Sequence, residues 1–143
     1  LQRVARAEVT GEDEAVGSIG PGLVALVGGG PDDTAAIATQ LANQTCDLRI
    51  FRDDEGRTNR SLSEAGGARL VVSQFTLYGD TRKGRRPSFI GAAPPDLAAE
   101  LVEVFATAVE ARGVEVGRGR FGAEMAVELV NDGPMTIWLD SGA

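Results

Sequence analysis

The stretch Val72-Ser73-Gln74-Phe75-Thr76-Leu77 decides the fold, because an apolar strand ends there in polar side chains. The residues before it, Ala-Arg-Leu-Val over 68–71, are typical of a central strand, and the pattern predicts a strand over 68–77. Ser73, Gln74 and Thr76 then place two hydroxyls and an amide where the alternation would continue the core. The end of this strand therefore gathers side-chain and backbone hydrogen-bonding groups in one place.

A second stretch, Asn131-Asp132-Gly133-Pro134-Met135-Thr136, has the same character. A strand is predicted over 125–130 before it and another over 136–139 after it. Asn-Asp-Gly-Pro is a turn signal, since Asn and Asp bond their own backbone, Gly permits positive φ and Pro fixes the exit. We expect these two polar strand ends to form two walls of one site.

Around these stretches, short apolar runs alternate with turn residues, and two longer segments have helical periodicity. The helices are predicted over 34–46, after Pro31-Asp32-Asp33, and over 96–112, capped by Gly113. Because strands outnumber helices, we expect an α+β fold with a curved, largely antiparallel sheet or partly closed β-barrel, on which the two long helices pack. Further strands are predicted over 1–10, 15–19, 23–27, 48–51 and 114–121.

The composition predicts an ordinary cytoplasmic protein. Of the 143 residues, 43% are apolar and 24% are charged, which suits one globular domain over 1–143. No apolar run reaches the ~20 residues needed to cross a bilayer, and no leader pattern is present. The only cysteine, Cys46, has no second cysteine to pair with, which agrees with a reducing compartment.

The absence of histidine is the strongest limit on function. It excludes Ser-His-Asp and Cys-His triads, His-ligated zinc and the usual general base. A hydrolase made from this chain needs carboxylates, backbone dipoles or a group on the substrate. The net charge of −7 argues against a broad nucleic-acid surface, since such surfaces neutralise phosphates, and we expect no DNA partner.

Two glycine-containing or acidic motifs resemble ligand sites but are interpreted as loops. Gly28-Gly29-Gly30 lacks the Lys-Ser/Thr of a P-loop and the spacing of a dinucleotide site. Asp53-Asp54-Glu55-Gly56 lacks the remaining ligands of a calcium loop. We therefore expect neither a metal nor a cofactor.

The segment 80–89 is the one strongly basic place in this acidic chain. It carries four cations against one carboxylate, which predicts an anionic partner, with chance clustering on a solvated loop as the alternative. The cations are Arg82, Lys83, Arg85 and Arg86.

The strand end at residues 73–76 is compatible with three roles. Unpaired backbone N–H groups aimed at one point would form an oxyanion hole, which stabilises acyl transfer without histidine. Thr76 is a second candidate, as a nucleophile, but no histidine, terminal amine or neighbouring lysine is present to activate it. Simple satisfaction of backbone groups is the third. At Gly133-Pro134, a cis peptide would point two carbonyls toward an ammonium group, whereas a plain type I or II turn would not.

Five motifs together resemble the D-aminoacyl-tRNA deacylases, in the same order over essentially the whole chain. Besides the two stretches quoted above, they are Gln2-Arg3-Val4, the loop 81–89 with Arg86-Pro87-Ser88-Phe89, and Gly119-Arg120-Phe121-Gly122-Ala123. The resemblance implies hydrolysis of the ester between a D-amino acid and the 3′-terminal adenosine of tRNA, as a proofreading step. It also implies that main-chain groups and the substrate's own ribose hydroxyl perform the chemistry.

The same resemblance implies a homodimer with shared active sites. The Gly133-Pro134 peptide, cis in this family, would enter the active site of the other protomer, exclude L-amino acids and be braced by Arg3. Selection by exclusion would leave glycyl-tRNA as a substrate. The implied catalytic residues are Ser73, Gln74, Phe75 and Thr76, and those for substrate binding and chiral selection are Gly133, Pro134, Met135, Thr136 and Arg3. The candidates for tRNA phosphates, Arg82, Lys83, Arg85 and Arg86, are inferred from their charge and are not a family motif.

Two alternatives remain open. One is the sister class with a trans Gly-Pro, which removes misplaced L-alanine from tRNA but departs from the Ser-Gln-Phe-Thr pattern. The other is a dimeric RNA- or amino-acid-binding module without catalysis. Since the sequence starts at Leu1 with no methionine, we also expect a few residues of the first strand to precede it.

Overall fold

The computed structural model describes residues 1–142, which form a six-stranded sheet, a separate two-stranded ribbon, three α-helices and one 3₁₀ helix. The helices are α1 (Ala35–Asp47), α2 (Leu62–Ala65), α3 (Pro95–Glu110) and the 3₁₀ helix Phe75–Tyr78. The strands are β1 (Gln2–Gly11), β2 (Glu14–Ile19), β3 (Gly22–Val27), β4 (Phe51–Arg52), β5 (Thr58–Arg60), β6 (Ala68–Ser73), β7 (Val116–Arg118) and β8 (Met125–Thr136).

The sheet curls into a nearly closed barrel. β1 pairs antiparallel with β3 over residues 2–4 and with β2 over residues 7–11 on one edge, and with β8 on the other. β6 lies between β3 and β7 and runs parallel to both. β2 then approaches β7 so closely that a Cβ added at Gly17 would lie 2.7 Å from the Arg118 carbonyl oxygen. The predicted α+β class with a partly closed barrel is confirmed.

Alternate residues of β3 and β6 are buried in two different cores, which explains why Leu23-Val24-Ala25 is apolar throughout. Leu23 and Ala25 pack toward α1 and α3, whereas Val24 points into the barrel. The buried helix-side residues include Ala42, Cys46, Leu62, Val71, Phe105 and Val109, and the barrel interior holds Val4, Ala7, Val9, Ile19, Leu70 and Val72.

Arg69 of β6 is fully buried on the helix side of the sheet. Its Nη1 donates to the Thr45 hydroxyl at 2.9 Å, and its guanidinium carbon lies 5.9 Å from the centre of the Phe105 ring. Burial lowers the pKa of Arg69 to about 10. The apolar residues beside Arg69 in the sequence gave no indication that it would be buried.

The two long helices lie within two residues of their predicted bounds. Thr34 caps α1, because its hydroxyl accepts from the Ile37 N–H at 3.3 Å. α3 begins at Pro95, and Gly113 lies beyond its end with φ of 79°. No helix among the described residues is long and apolar enough to cross a membrane.

Three strands differ from their predicted bounds. β6 ends at Ser73 instead of continuing to 77, because the Gln74 N–H donates the last rung to the Val27 carbonyl at 2.8 Å and the chain then turns into a 3₁₀ helix. β7 and β4 are shorter than the apolar runs that predicted them, since those runs also supply core residues such as Val114 and Ile50 outside the ladders.

Two short elements, β5 and α2, were not predicted. β5 forms a ribbon with β4, and α2 begins with a capping box in which Ser61 Oγ accepts from the Glu64 N–H at 3.2 Å and Glu64 Oε1 accepts from the Ser61 N–H at 3.0 Å. The Ser-x-x-Glu spacing is the signal that would have predicted α2.

Candidate active site

The strand-end segment, residues 73–76, is held from behind by main chain. Ser73 is paired with Val27 across the parallel ladder, and the next residue, Gln74, still donates its N–H to the Val27 carbonyl. Gly28 then passes so close that an added Cβ would lie 2.9 Å from the Gln74 carbonyl oxygen. The position of the strand-end segment is therefore fixed by backbone contacts rather than by its own side chains.

Two backbone donors are unused at this strand end. The N–H groups of Phe75 and Thr76 open the 3₁₀ helix, where the first turn has no intrahelical acceptors. Neither finds another acceptor among residues 1–142, and both residues are exposed. They are suited to bind an oxyanion, because backbone N–H groups that are already fixed stabilise developing negative charge without reorganising.

The Thr76 hydroxyl has no activating base beside it. In the described residues its hydrogen-bond partner is the Gln74 side-chain amide, which donates to it through a short contact. An amide donor cannot take the hydroxyl proton, so the geometry does not prepare Thr76 for nucleophilic attack.

The second predicted wall, the Gly-Pro turn (residues 131–136), lies within β8 as an excursion of the strand. Val4 pairs with Asn131 and Gln2 with Thr136, so β8 has three more residues than β1 between these pairs. The prediction of two strands separated by a turn is corrected to one strand that bulges outward. The predicted strand over 136–139 is also wrong, although Ile137 still exchanges two 2.8 Å backbone hydrogen bonds with Leu1.

The Gly133-Pro134 peptide is cis, and both residues are exposed at the tip of the bulge. Arg3 lies beneath it and is only 4% exposed. Its Nε donates to the Asp132 carbonyl at 3.0 Å and its Nη1 to the Ile50 carbonyl at 2.7 Å. A Cβ added at Gly133 would lie 2.7 Å from Arg3 Nη2, and φ there is 131°, so this position favours glycine.

Two further side chains brace the Gly-Pro turn. Asn131 Oδ1 accepts from the Met135 N–H at 3.0 Å, and Asn131 Nδ2 donates to the exposed Thr136 hydroxyl at 3.2 Å. The Asp132 carboxylate accepts from Arg52 Nη1 at 2.9 Å and Nη2 at 3.3 Å. Hydrogen bonding from Arg52 holds the pKa of Asp132 below its usual value. No local sequence pattern predicted that Arg52 would pair with Asp132, because the two lie 80 residues apart in the chain.

Within one chain, the two predicted walls lie on strands that are not neighbours in the sheet. The Gly-Pro turn lies on β8 and the strand-end segment on β6, with β1 and β3 between them. Three strand spacings correspond to about 14 Å. The expectation that the two stretches line one site stays a prediction.

A cavity of about 310 Å³ lies beside the strand end. It is lined by residues of β3, by residues 136–141 and by apolar residues of α1 and α3, such as Leu41 and Phe105. Tyr78 lies at its rim, and burial raises the pKa of its hydroxyl. Thr136, one of the predicted substrate-binding residues, lines this cavity, whereas the strand-end residues 73–76, Gly133 and Pro134 do not.

The four predicted phosphate-binding cations lie together on an exposed hairpin. Asp80 and Ser88 close its base through backbone hydrogen bonds of 2.7 and 2.9 Å. Next to this base, the Phe89 ring meets the Phe75 ring edge-on, with centroids 5.1 Å apart. The cations are therefore attached to the strand-end segment, although they do not contact residues 73–76 directly. Among residues 1–142, no three His, Cys, Asp or Glu side chains are grouped to hold a metal ion.

Comparison with known proteins decides the family. The model of the D-Tyr-tRNA(Tyr) deacylase family matches residues 1–140. The chain belongs to this family. A protein of Roseiflexus sp. (strain RS-1) named D-aminoacyl-tRNA deacylase is 62% identical over 99% of this chain and 91% of its own. One of Deinococcus deserti with the same name is 55% identical over 98% and 96%. The predicted resemblance, and the expectation of a hydrolase, are confirmed.

Solved structures agree with the fold. The "c-Myc DNA Unwinding Element Binding Protein" superposes with a TM-score of 0.91 and 35% identity, over 99% of this chain and 97% of that one. A "probable eukaryotic D-amino acid tRNA deacylase" has a TM-score of 0.80 and 22% identity over 93% and 92%. The second likeness concerns the fold alone.

Proposed function

We propose that this protein hydrolyses the ester bond of D-aminoacyl-tRNA, and also of glycyl-tRNA, to release the free amino acid and tRNA. Family membership and the names of relatives that are 55% to 62% identical support the substrate class. The observation that carries the mechanism is the pair of unused N–H donors at Phe75 and Thr76. In a chain without histidine, they are the groups best placed to stabilise an acyl-transfer transition state.

The proposed reaction is an addition followed by an elimination at the ester carbonyl. Water adds to the carbonyl carbon, and the carbonyl oxygen becomes an oxyanion held by the N–H groups of Phe75 and Thr76. The bond to the ribose oxygen then breaks, and that oxygen leaves with a proton supplied by the attacking water. The neighbouring ribose hydroxyl is suited to pass this proton, so the protein need not supply a base.

The proposed site is completed by a second copy of the chain in a homodimer. The Gly-Pro turn is exposed and braced by Arg3, Asn131 and the Arg52–Asp132 pair, yet it lies three strands from its own strand-end segment. An exposed polar turn that is braced in this way is suited to a neighbour's site. Exposed apolar side chains on or beside β8, Val130 at 43% and Trp138 at 69%, supply surface for such a contact.

Chiral selection follows from where the α-carbon is held. If the carbonyls of the Gly-Pro turn hold the ammonium group and the strand-end segment holds the ester, two substituents of the α-carbon are fixed. A D side chain then points outward and an L side chain into the wall, so the wrong isomer is excluded sterically. Glycine has nothing to exclude. Since the substrate is part of translation, the proposal places the enzyme in the cytoplasm.

Hydrolysis rates of D-tyrosyl-, L-tyrosyl- and glycyl-tRNA under one condition test this proposal. We expect fast release from the D and glycyl substrates and almost none from the L substrate. No hydrolysis of any charged tRNA would refute the enzyme. Inert glycyl-tRNA beside a fast D substrate would mean that the pocket binds the D side chain, and that exclusion does not explain the selectivity.

A further inference from the structure

The basic hairpin, residues 80–88, is an ordered projection and not a loose loop. Backbone hydrogen bonds join Asp80 and Ser88 in both directions, and Gly84 turns the tip with φ of 64°. All of its cationic side chains are exposed. One of them, Arg82, is held by the carboxylate of Asp80, to which it donates through Nε at 2.9 Å and Nη2 at 2.6 Å. The same carboxylate accepts from the Arg82 N–H at 3.0 Å.

Among residues 1–142, the cations without a hydrogen-bonding or ion-pair partner are exposed on the hairpin. The sequence has 14 Lys and Arg residues, and eight of them form ion pairs within residues 1–142. Of the other six, one is buried and two hydrogen-bond to nearby residues. The three that remain in the described chain are Lys83, Arg85 and Arg86. A net charge of −7 surrounds them, so an anionic polymer is attracted here and repelled elsewhere.

The base of the hairpin is fixed beside the strand-end segment. The rings of Phe75 and Phe89 pack edge-on at an interplanar angle of 76°. Gly79 permits this contact, because an added Cβ would lie 3.2 Å from the Phe89 ring. Four residues separate the base from the tip, so the tip lies at most about 13 Å from the base. This distance suits the backbone phosphates that lie nearest to an ester bound at Phe75 and Thr76.

We propose that Lys83, Arg85 and Arg86 bind backbone phosphates near the 3′ end of the charged RNA, and that Asp80 is a positioning residue which keeps Arg82 out of this set. The inference rests on the proposed function, since the RNA is the substrate. Three contacts predict a salt dependence of log K against log salt with a slope of about −2 to −2.7. Because the contacts lie away from the ester, they should lower KM and leave kcat unchanged.

Binding of fluorescently labelled, uncharged tRNA at 50–300 mM salt measures the phosphate contacts of the basic hairpin without ester hydrolysis. We expect each of Lys83→Ala, Arg85→Ala and Arg86→Ala to weaken binding and to make the salt slope shallower by about one. Arg57→Ala is the matched control, because Arg57 is equally exposed on the β4–β5 turn and has only a 3.8 Å contact with Glu55. An unchanged slope in the triple variant would refute the phosphate contacts.

Asp80→Asn tests the positioning role. The amide oxygen can still accept from the Arg82 N–H, but the ion pair is lost and Arg82 is freed. We expect tighter tRNA binding and a slope steeper by about 0.7 to 0.9. An unchanged slope would show that Asp80 does not restrain Arg82.

A minimal ester, 3′-O-D-tyrosyl-adenosine, distinguishes the two proposals, because it has no phosphate to reach the hairpin. We expect the triple variant to hydrolyse it at the wild-type rate while its KM for D-tyrosyl-tRNA rises. If wild-type protein hydrolyses neither substrate, the proposed function fails. If it hydrolyses both, and the triple variant keeps the wild-type KM for the tRNA, the hairpin proposal alone is overturned.

Discussion

The N–H of Gln74 donates to the Val27 carbonyl at 2.8 Å and is the final rung between β3 and β6. One residue later the chain has left the ladder, so the N–H groups that follow have no strand to pair with. This change from strand to 3₁₀ helix is what creates the donor pair at Phe75 and Thr76. The strand-end segment is thus defined by where hydrogen bonding stops.

Phe75→Pro should remove one donor without removing the turn. Proline has no N–H and its fixed φ suits the first position of a helix. We expect kcat to fall about 10²- to 10³-fold, as when an oxyanion-hole donor is deleted. Phe75→Ala is the matched control, because it also loses the ring but keeps the N–H. Equal losses in the two variants would remove the Phe75 N–H from the mechanism.

Thr76→Ala should cost much less than a lost nucleophile. The Thr76 hydroxyl is hydrogen-bonded to the Gln74 amide and has no base, so we expect a loss below about 10²-fold in kcat/KM. Single-turnover rates on D-tyrosyl-tRNA, with circular dichroism to verify folding, measure it. A loss of many thousandfold in a folded variant that still binds tRNA would restore Thr76 as the nucleophile.

Mixed dimers should recover activity if sites are shared. Gly133→Ala places a methyl group against Arg3 Nη2, in a conformation that L residues rarely adopt, so it should displace the Gly-Pro turn. Co-refolding it with Phe75→Pro gives dimers of which half are mixed, each with one intact site. We expect about a quarter of wild-type activity. Mixtures that exchange subunits but stay inactive would show that each site belongs to one chain.

Asp132→Asn should weaken the brace of the Gly-Pro turn with a defined pH dependence. Since Arg52 lowers the pKa of Asp132, the ion pair stabilises the fold above the ordinary aspartate value and is lost as pH falls through the lowered one. The difference in unfolding free energy between wild type and variant should be constant from pH 5 to 8 and vanish in strong acid. We expect kcat/KM to fall no more than about five-fold.

Glu128→Gln is the control for that experiment, because Glu128 also lies on β8 and pairs with an arginine, Arg6 of β1 at 2.7 Å, but away from the turn. It should leave kcat/KM unchanged. A difference in unfolding free energy between wild type and Asp132→Asn that grows from pH 5 to 8 would contradict the lowered pKa.

Local chemistry made much of this molecule predictable. Apolar alternation located the strands, and Asn131-Asp132-Gly133-Pro134 located the excursion in β8, because these signals act over a few residues. The pairing of Arg52 with Asp132 and the burial of Arg69 could not be read in this way, since both arise when distant segments pack. The 3₁₀ helix after Ser73 was not predicted for a related reason. The ladder of β6 ends where the neighbouring strand β3 ends, and the apolar pattern continues beyond that point.

The three consecutive glycines at 28–30 differ in whether they can be replaced by a residue with a side chain. A side chain at Gly28 would meet the Gln74 carbonyl oxygen at 2.9 Å, whereas at Gly29 and Gly30 it would meet the movable ends of Leu101 and Tyr78. Only the first conflict is with main chain, and that main chain carries the proposed donors. Random mutagenesis under selection for activity should therefore accept small residues at the second and third glycines and reject them at the first.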